Sequence, residues 1–61
     1  MSERREILLE FVAQGGAVKA TAIDSVSGIE ASVVGPASAP RTALADAARR
    51  KLDYLLRKRG A

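Results

Sequence analysis

The segment ILLEFVAQGGAVKATAID, residues 7–24, decides the fold of this 61-residue chain. Its first eight residues alternate inward apolar positions with outward ones, and a period of two indicates a half-buried strand. The pair Gly15-Gly16 follows and can adopt the positive φ angles of a two-residue type I′ hairpin turn. Residues 17–24 repeat the alternation, so the segment predicts a β-hairpin.

The two-residue loop also sets the register of this hairpin. It places Gln14 opposite Ala17, and the inward pairs that follow are all apolar: Ala13 with Val18, Phe11 with Ala20, and Leu9 with Ala22. A slip of one residue would turn Lys19 and Thr21 toward the core. Turn chemistry and burial therefore favour the same pairing.

The rest of the chain predicts a third strand and a helix. Residues 24–28 contain a second turn closed by Gly28, and Ile29 to Val34 alternate again. Residues 35–40, rich in proline and alanine, predict a stiff connector in which Ser38 is a candidate N-cap. A helix is expected over 41–59, followed by Gly60 as a stop signal.

The expected helix is amphipathic, which indicates that it covers one face of the sheet. Its inward positions are Leu44, Ala45, Ala48, Leu52, Leu55 and Leu56, and its outward positions include Asp46, Arg49, Arg50, Asp53 and Arg57. The predicted fold class is α+β: a three-stranded antiparallel β-meander followed by one long C-terminal helix. Residues 1–61 form one small domain, with the meander at 6–34.

Self-association is expected because the chain has few other means of stabilising its core. It contains no Cys and no His, which excludes disulfides and the common zinc sites. A domain of this size has a marginal core, and Phe11 is the only phenylalanine available to fill it. Truncation of Phe11 to Ala is therefore expected to cost about 3–5 kcal/mol.

A homodimer is predicted through the face of the sheet that the helix leaves open. Four apolar side chains, here called the outer patch, are expected to lie on that face: Leu8, Val12, Ile23 and Val34. An isologous contact would cover such a patch. The stiff connector leaves open whether the helix packs on its own sheet or is exchanged onto the sheet of the partner.

Catalysis is not expected, because the parts it needs are missing from the sequence. A serine nucleophile requires an activating base, and no His is present. Glu6 and Glu10 are four residues apart on a strand, about 13 Å, too far for a paired-carboxylate mechanism. Gly15-Gly16 lacks the Lys-Ser/Thr ending of a phosphate loop. No cofactor-binding or metal-ligating residues are assigned.

The C-terminal third provides an alternative function. Residues 41–61 carry seven basic and two acidic residues, a net charge of +5, whereas residues 1–40 carry −2. Clustered cations can bind nucleic-acid phosphates, and the candidate contacts are Arg49, Arg50, Arg57, Lys58 and Arg59. The other interpretation is a solvated helix end whose cations suit the helix dipole, or a surface that docks on the acidic sheet of a second copy.

Residues 1–6 are charged with both signs and contain no apolar signal segment, and no part of the chain is apolar enough to span a membrane. The expected location is the cytoplasm.

Several stretches resemble a family of short bacterial proteins of unknown function. They are Arg5-Glu6-Ile7, residues 18–24, residues 35–40 and Lys51-Leu52-Asp53-Tyr54. The resemblance covers nearly the whole chain and implies no activity. The sequence therefore predicts a non-enzymatic, cytoplasmic protein–protein interaction module acting as a homodimer, with a nucleic-acid-associated protein as the alternative.

Overall fold

A computed structural model describes residues 5–60 and has the predicted β-β-β-α order. Residues 1–4, on which the expected location partly depends, lie outside the described residues. The strands are β1 (Ile7–Gln14), β2 (Ala17–Asp24) and β3 (Glu30–Pro36), and the helix is α1 (Arg41–Gly60). The three strands form one antiparallel sheet in the order β1-β2-β3, so β2 is central and both other strands are edges.

The predicted register of the first hairpin is confirmed. Gln14 lies opposite Ala17, Phe11 opposite Ala20 and Leu8 opposite Ile23. The turn itself differs from the prediction, since only Gly15 of the glycine pair has a positive φ, 60°. A positive φ at the first central position alone is the pattern of a type II′ turn, so the type I′ prediction is wrong. Type I′ and type II′ turns both match the right-handed twist of the strands, so either type gives the same register.

The second turn is held by the end of β2. The backbone N–H of Gly28 donates to the carbonyl of Asp24 over 2.8 Å, and the N–H of Asp24 donates to the carbonyl of Ile29 over 2.9 Å. Gly28 has a φ of 79°, a left-handed conformation that glycine adopts readily and that suits its predicted place at the close of this turn.

The third strand extends beyond its predicted end. Gly35 and Pro36 remain paired with Val18 and Ala17, so the connector shrinks to residues 37–40. Pro36 is accommodated because β3 is an edge strand, where a missing N–H can face away from the sheet.

The helix begins at Arg41 without a side-chain cap. The N–H of Leu44 donates to the carbonyl of Pro40 over 3.3 Å, which places Pro40, and not Ser38, at the N-cap position. Ser38 lies instead in the preceding turn, where the N–H of Ala39 donates to the carbonyl of Pro36 over 2.9 Å. The Ser38 prediction is wrong because the longer β3 shifts the turn toward the helix.

The core lies between the helix and the second and third strands. Its buried members are Val18, Ala20, Ala22, Ala31, Leu44, Ala48 and Leu52. On the inner face of the sheet, β2 and β3 carry alanines, whereas β1 carries the larger side chains of Ile7, Leu9 and Phe11. The helix packs over Ala20, Ala22 and Ala31, where its backbone can approach the sheet closely. It contacts β2 and β3 far more than β1. The first strand is therefore left at the side of the helix.

Gly35 leaves room over β3 for the side chain of Leu44. A Cβ at this position would lie 2.5 Å from Cδ2 of Leu44, well inside van der Waals contact. The absence of a side chain at Gly35 lets the buried Leu44 side chain lie directly over the strand, close to the start of the helix.

Candidate interaction surface

The four outer-patch residues lie on one face of the sheet, as predicted. Leu8, Val12 and Val34 are 52%, 49% and 64% exposed, and Ile23 is half-buried. Leu8 is directly opposite Ile23, whereas Val12 and Val34 flank Lys19 on the central strand. The outer patch is thus two apolar groups near opposite ends of the sheet.

A polar row separates these two groups, and sequence reasoning missed it. Glu10, Thr21 and Ser32 lie opposite one another across the three strands. The hydroxyl groups of Thr21 and Ser32 are 2.8 Å apart and share a hydrogen bond, and Thr21 is buried among its neighbours. The register pattern could have revealed this row, because it follows from the same pairing that places Leu8 opposite Ile23.

The inner side of β1 borders an open groove that the sequence did not predict. Its floor is formed by Ile7, Leu9 and Phe11, and its wall by α1. Two adjoining cavities of about 420 and 360 Å³ share the side chain of Arg49. The groove exists because the helix packs over β2 and β3 and leaves the larger side chains of β1 partly uncovered.

Phe11 is the aromatic residue of this groove rather than the centre of the core. It is half-buried and packs against the core from the side. The guanidinium of Arg41 lies 5.1 Å from the centre of its ring, within the range of a cation–π contact. The expectation that Phe11 is a core residue is therefore corrected: it packs at the margin of the core.

The basic side chains of the helix do not form a single stripe. Arg49 faces the groove beside β1, whereas Lys51 reaches the opposite edge of the sheet and donates from Nζ to the carbonyl of Ser32 over 2.9 Å. Nε of Arg57 lies 3.3 Å from Asp53, and Nζ of Lys58 lies 5.8 Å from the centre of the Tyr54 ring.

The remaining candidate phosphate contacts, Arg50 and Arg59, are exposed. Asp53 and Arg57 form an ion pair across one turn of the helix, whereas Asp46 and Arg50, which have the same i,i+4 spacing and are also described, do not. The cations therefore surround the helix, and several of them already have partners.

Asp24 is the buried ionisable side chain of the described residues, and its surroundings indicate a structural role. Its Oδ2 accepts hydrogen bonds from the hydroxyl of Ser27 over 2.7 Å and from the N–H of Ser27 over 2.9 Å. Its Oδ1 lies 2.9 Å from Nε of Arg5. The bonds from Ser27 outweigh the opposing effect of burial, and with Arg5 they hold the pKa of Asp24 below its usual value. A carboxylate held ionised in this way is a weak base and anchors the second turn.

Two further features bear on function. No helix within residues 5–60 has the length and apolar character required to cross a bilayer. Within the same residues, no three His, Cys, Asp or Glu side chains are grouped so that they could hold a metal ion.

The fold and its exposed faces define a small α+β domain, a three-stranded antiparallel sheet with one helix on one side and, on the other, a face that carries two apolar groups and a polar row. The chain belongs to the family described as Domain of unknown function (DUF6898), whose model matches residues 4–59. This confirms the resemblance to a family of unknown function. No curated protein and no solved structure shows significant similarity to the chain.

Proposed function

We propose that this chain is a non-enzymatic protein–protein interaction module that acts as a homodimer in the cytoplasm. The observation that carries the proposal is the exposed apolar surface of the sheet, where Leu8, Val12 and Val34 are each about half exposed or more. A lone domain gains nothing by keeping such side chains in water, and exposed apolar groups like these two, one on each side of a polar row, are typical of interaction sites. The outer patch is the candidate dimer contact.

The small core supports the same proposal. Eight apolar residues are buried within the described part of the chain, and five of them are alanines. Alanine side chains bury little area, so this core supplies limited hydrophobic free energy. Burial of further apolar surface against a second copy would add stability that the single domain lacks.

The test is the molecular mass of the purified protein in solution, measured by sedimentation equilibrium across micromolar to millimolar concentrations. We expect a dimer, and Leu8→Lys should shift it toward monomer by placing a charge in the contact. Val26→Lys is the matched control, because Val26 is also an exposed apolar residue, 40% exposed, but lies in the second turn. A monomer at all concentrations would refute the proposal.

An exchanged helix is one form that this dimer can take. In the single chain α1 packs on its own sheet, and an exchanged dimer would make the same contacts between chains. An isotope-filtered NOE experiment on mixed labelled and unlabelled protein separates the two forms. Contacts between Leu52 and Ala20 that occur only within one chain would exclude the exchange, whereas contacts only between chains would establish it.

The alternative function, a small nucleic-acid-associated protein, is favoured by the net charge of +5 on residues 41–61. The candidate phosphate contacts remain Arg49, Arg50, Arg57, Lys58 and Arg59, and they would bind as dispersed point charges. The test is titration of a fluorescent duplex at low and moderate salt. Salt-sensitive binding that Arg49→Gln and Arg50→Gln weaken would support this alternative, and its absence at low salt would exclude it.

A further inference from the structure

The two edges of the sheet differ in how many of their backbone N–H and C=O groups are available to pair with another strand. On β3, the carbonyl of Ser32 faces away from β2 and already accepts a hydrogen bond from Nζ of Lys51 over 2.9 Å. The same strand ends in Pro36, which has no N–H to offer. A positioned lysine and a terminal proline are both devices that protect an edge strand from pairing.

The edge of β1 has no comparable protection. The carbonyl of Glu6 accepts from the N–H of Ser25 over 3.0 Å. Glu6 and every second residue after it, up to Gln14, therefore direct their backbone N–H and C=O groups toward β2. Antiparallel pairing alternates, and the residues between them therefore direct their N–H and C=O groups to the free edge. These residues are Ile7, Leu9, Phe11 and Ala13, and none of their edge-facing backbone groups has a partner within residues 5–60.

The side chains of β1 are also the least covered of the three strands. No residue of this strand is fully buried, although six of its eight residues are apolar. Leu8 and Val12 are exposed on the outer face, and Ile7, Leu9 and Phe11 line the groove on the inner face. A long, apolar edge strand open on both faces is a template for another strand.

We infer that β1 pairs antiparallel with β1 of a second copy, so that two chains form one continuous six-stranded sheet. The inference rests on the proposed homodimer and moves its contact to the β1 edge, which includes Leu8 and Val12 of the outer patch but not Ile23 or Val34. A two-fold axis perpendicular to the sheet relates the strands, and the same residues contribute from each chain. Both helices then lie on the same face, and the contact covers the β1 side chains of both faces at once.

Charge complementarity points to a second copy as the occupant. Lys19 lies opposite Val12 and has no acidic side chain within ion-pair distance among residues 5–60. A symmetric pairing centred on Glu10 would oppose two like charges and is disfavoured. The neighbouring registers centre on Leu9 or on Phe11, and they set the partner's Glu6 or the partner's Glu10, respectively, directly beside Val12.

In both of these registers, the glutamate of the partner is two strands from Lys19. Strands are about 4.8 Å apart, so the two backbones are separated by roughly 10 Å, a distance that a lysine and a glutamate side chain can bridge together. Within its own chain the nearest acidic neighbour of Lys19 is the diagonal Glu10, with which it forms no ion pair, and the edge contact adds a second acidic side chain in the same row as Lys19.

The chain has no cysteine, so single cysteines can be used to locate the contact. Glu10→Cys and Glu30→Cys form a matched pair, because both glutamates are exposed on the outer face, one on each edge strand. After treatment with a short bis-maleimide, we expect most Glu10→Cys protein to become covalent dimer. Glu30→Cys should remain at the level of the cysteine-free chain, because the two copies of Glu30 would be separated by five strand spacings, about 24 Å.

A second pair of variants blocks the edge without removing bonds within the sheet. Ala13→Pro deletes an N–H that faces the free edge of β1, and in the register centred on Phe11 it should weaken the dimer by roughly tenfold or more. In the register centred on Leu9, Ala13 lies beyond the paired strands, and Leu9→Pro should produce that loss instead. Glu30→Pro deletes an edge-facing N–H at the first residue of β3, outside the outer patch, and should leave the β1 pairing intact. Circular dichroism shows whether each variant is folded.

The outcomes separate this inference from the proposed function. A monomeric wild-type protein refutes both. A dimer in which Glu30→Cys cross-links as well as Glu10→Cys indicates sheets packed face to face, and cross-linking of Glu30→Cys alone indicates pairing through β3. Either result, or a dimer that neither variant cross-links, overturns the β1 edge and leaves the homodimer standing.

Discussion

Lys51 extends from the helix to the outer edge of β3, where its Nζ donates a hydrogen bond to the carbonyl oxygen of Ser32 over 2.9 Å. The contact ties the exposed side of the helix to the strand that precedes it in sequence. It also gives the two edges of the sheet different properties, since the corresponding side of β1 is open.

Loss of the Lys51 donor should expose the second edge of the sheet. Lys51→Met keeps most of the aliphatic stem but removes the ammonium group, and Arg50→Met is the matched control because the Arg50 side chain makes no hydrogen bond or ion pair within residues 5–60. We expect a stability change below about 1 kcal/mol, since the bond is solvent-exposed. Sedimentation velocity at rising concentration should show species larger than wild type for Lys51→Met alone. Equal behaviour of the two variants would contradict this role for Lys51.

Leu52 should be the most sensitive position in the core. It is fully buried and is the largest apolar side chain so enclosed within the described residues. Leu52→Ala is expected to cost about 2–5 kcal/mol, close to the whole stability of a small domain. Leu55, about one turn further along the helix, and Phe11 are both half-buried, so Leu55→Ala and Phe11→Ala should each lower the free energy of unfolding by less. Urea unfolding curves measure all three, and a larger loss for Phe11→Ala would place the core nearer to β1.

Gly35 should not tolerate a side chain. Gly35→Ala forces the Leu44 side chain away from its contact and is expected to cost about 1–3 kcal/mol. Gly16→Ala is the control, because a Cβ at Gly16 meets no atom within 4 Å and its φ is not positive. That variant should be neutral or slightly more stable, since alanine has less freedom in the unfolded chain. Thermal unfolding distinguishes them, and equal midpoints would show that the Leu44 side chain can move aside without loss of stability.

Acid should destabilise the protein through Asp24. Hydrogen bonds from Ser27, together with Arg5, hold the folded-state pKa of Asp24 below the usual value of 3.8, so its ionised form favours the folded state. This stability is fully present above pH 3.8 and is lost as the pH falls toward the lower folded-state pKa. Denaturation midpoints between pH 7 and pH 2 should therefore fall less steeply for Asp24→Asn than for wild type. Asp53→Asn, at an exposed position, should retain the wild-type profile.

Sequence by itself determined the order of the elements and the pairing of the first hairpin. A two-residue loop and a period of two leave a single register that buries the apolar side chains, and the structure has that register. The inward face of the helix was equally determined, because Leu44, Ala48 and Leu52 repeat at helical spacing and all three are buried. At these positions, the local conformational preference of the chain and the burial of apolar side chains favour the same structure.

Only the tertiary structure decided where the helix lies across the sheet. Alternation assigns Ile7, Leu9 and Phe11 to the inner face, but it does not say which strands the helix covers. That choice depends on side-chain volume across three strands, since the alanines of β2 and β3 and the bare Gly35 let the helix approach closely there. The same packing leaves β1 uncovered and brings Lys51 to Ser32, a contact between residues 19 positions apart that no local pattern encodes.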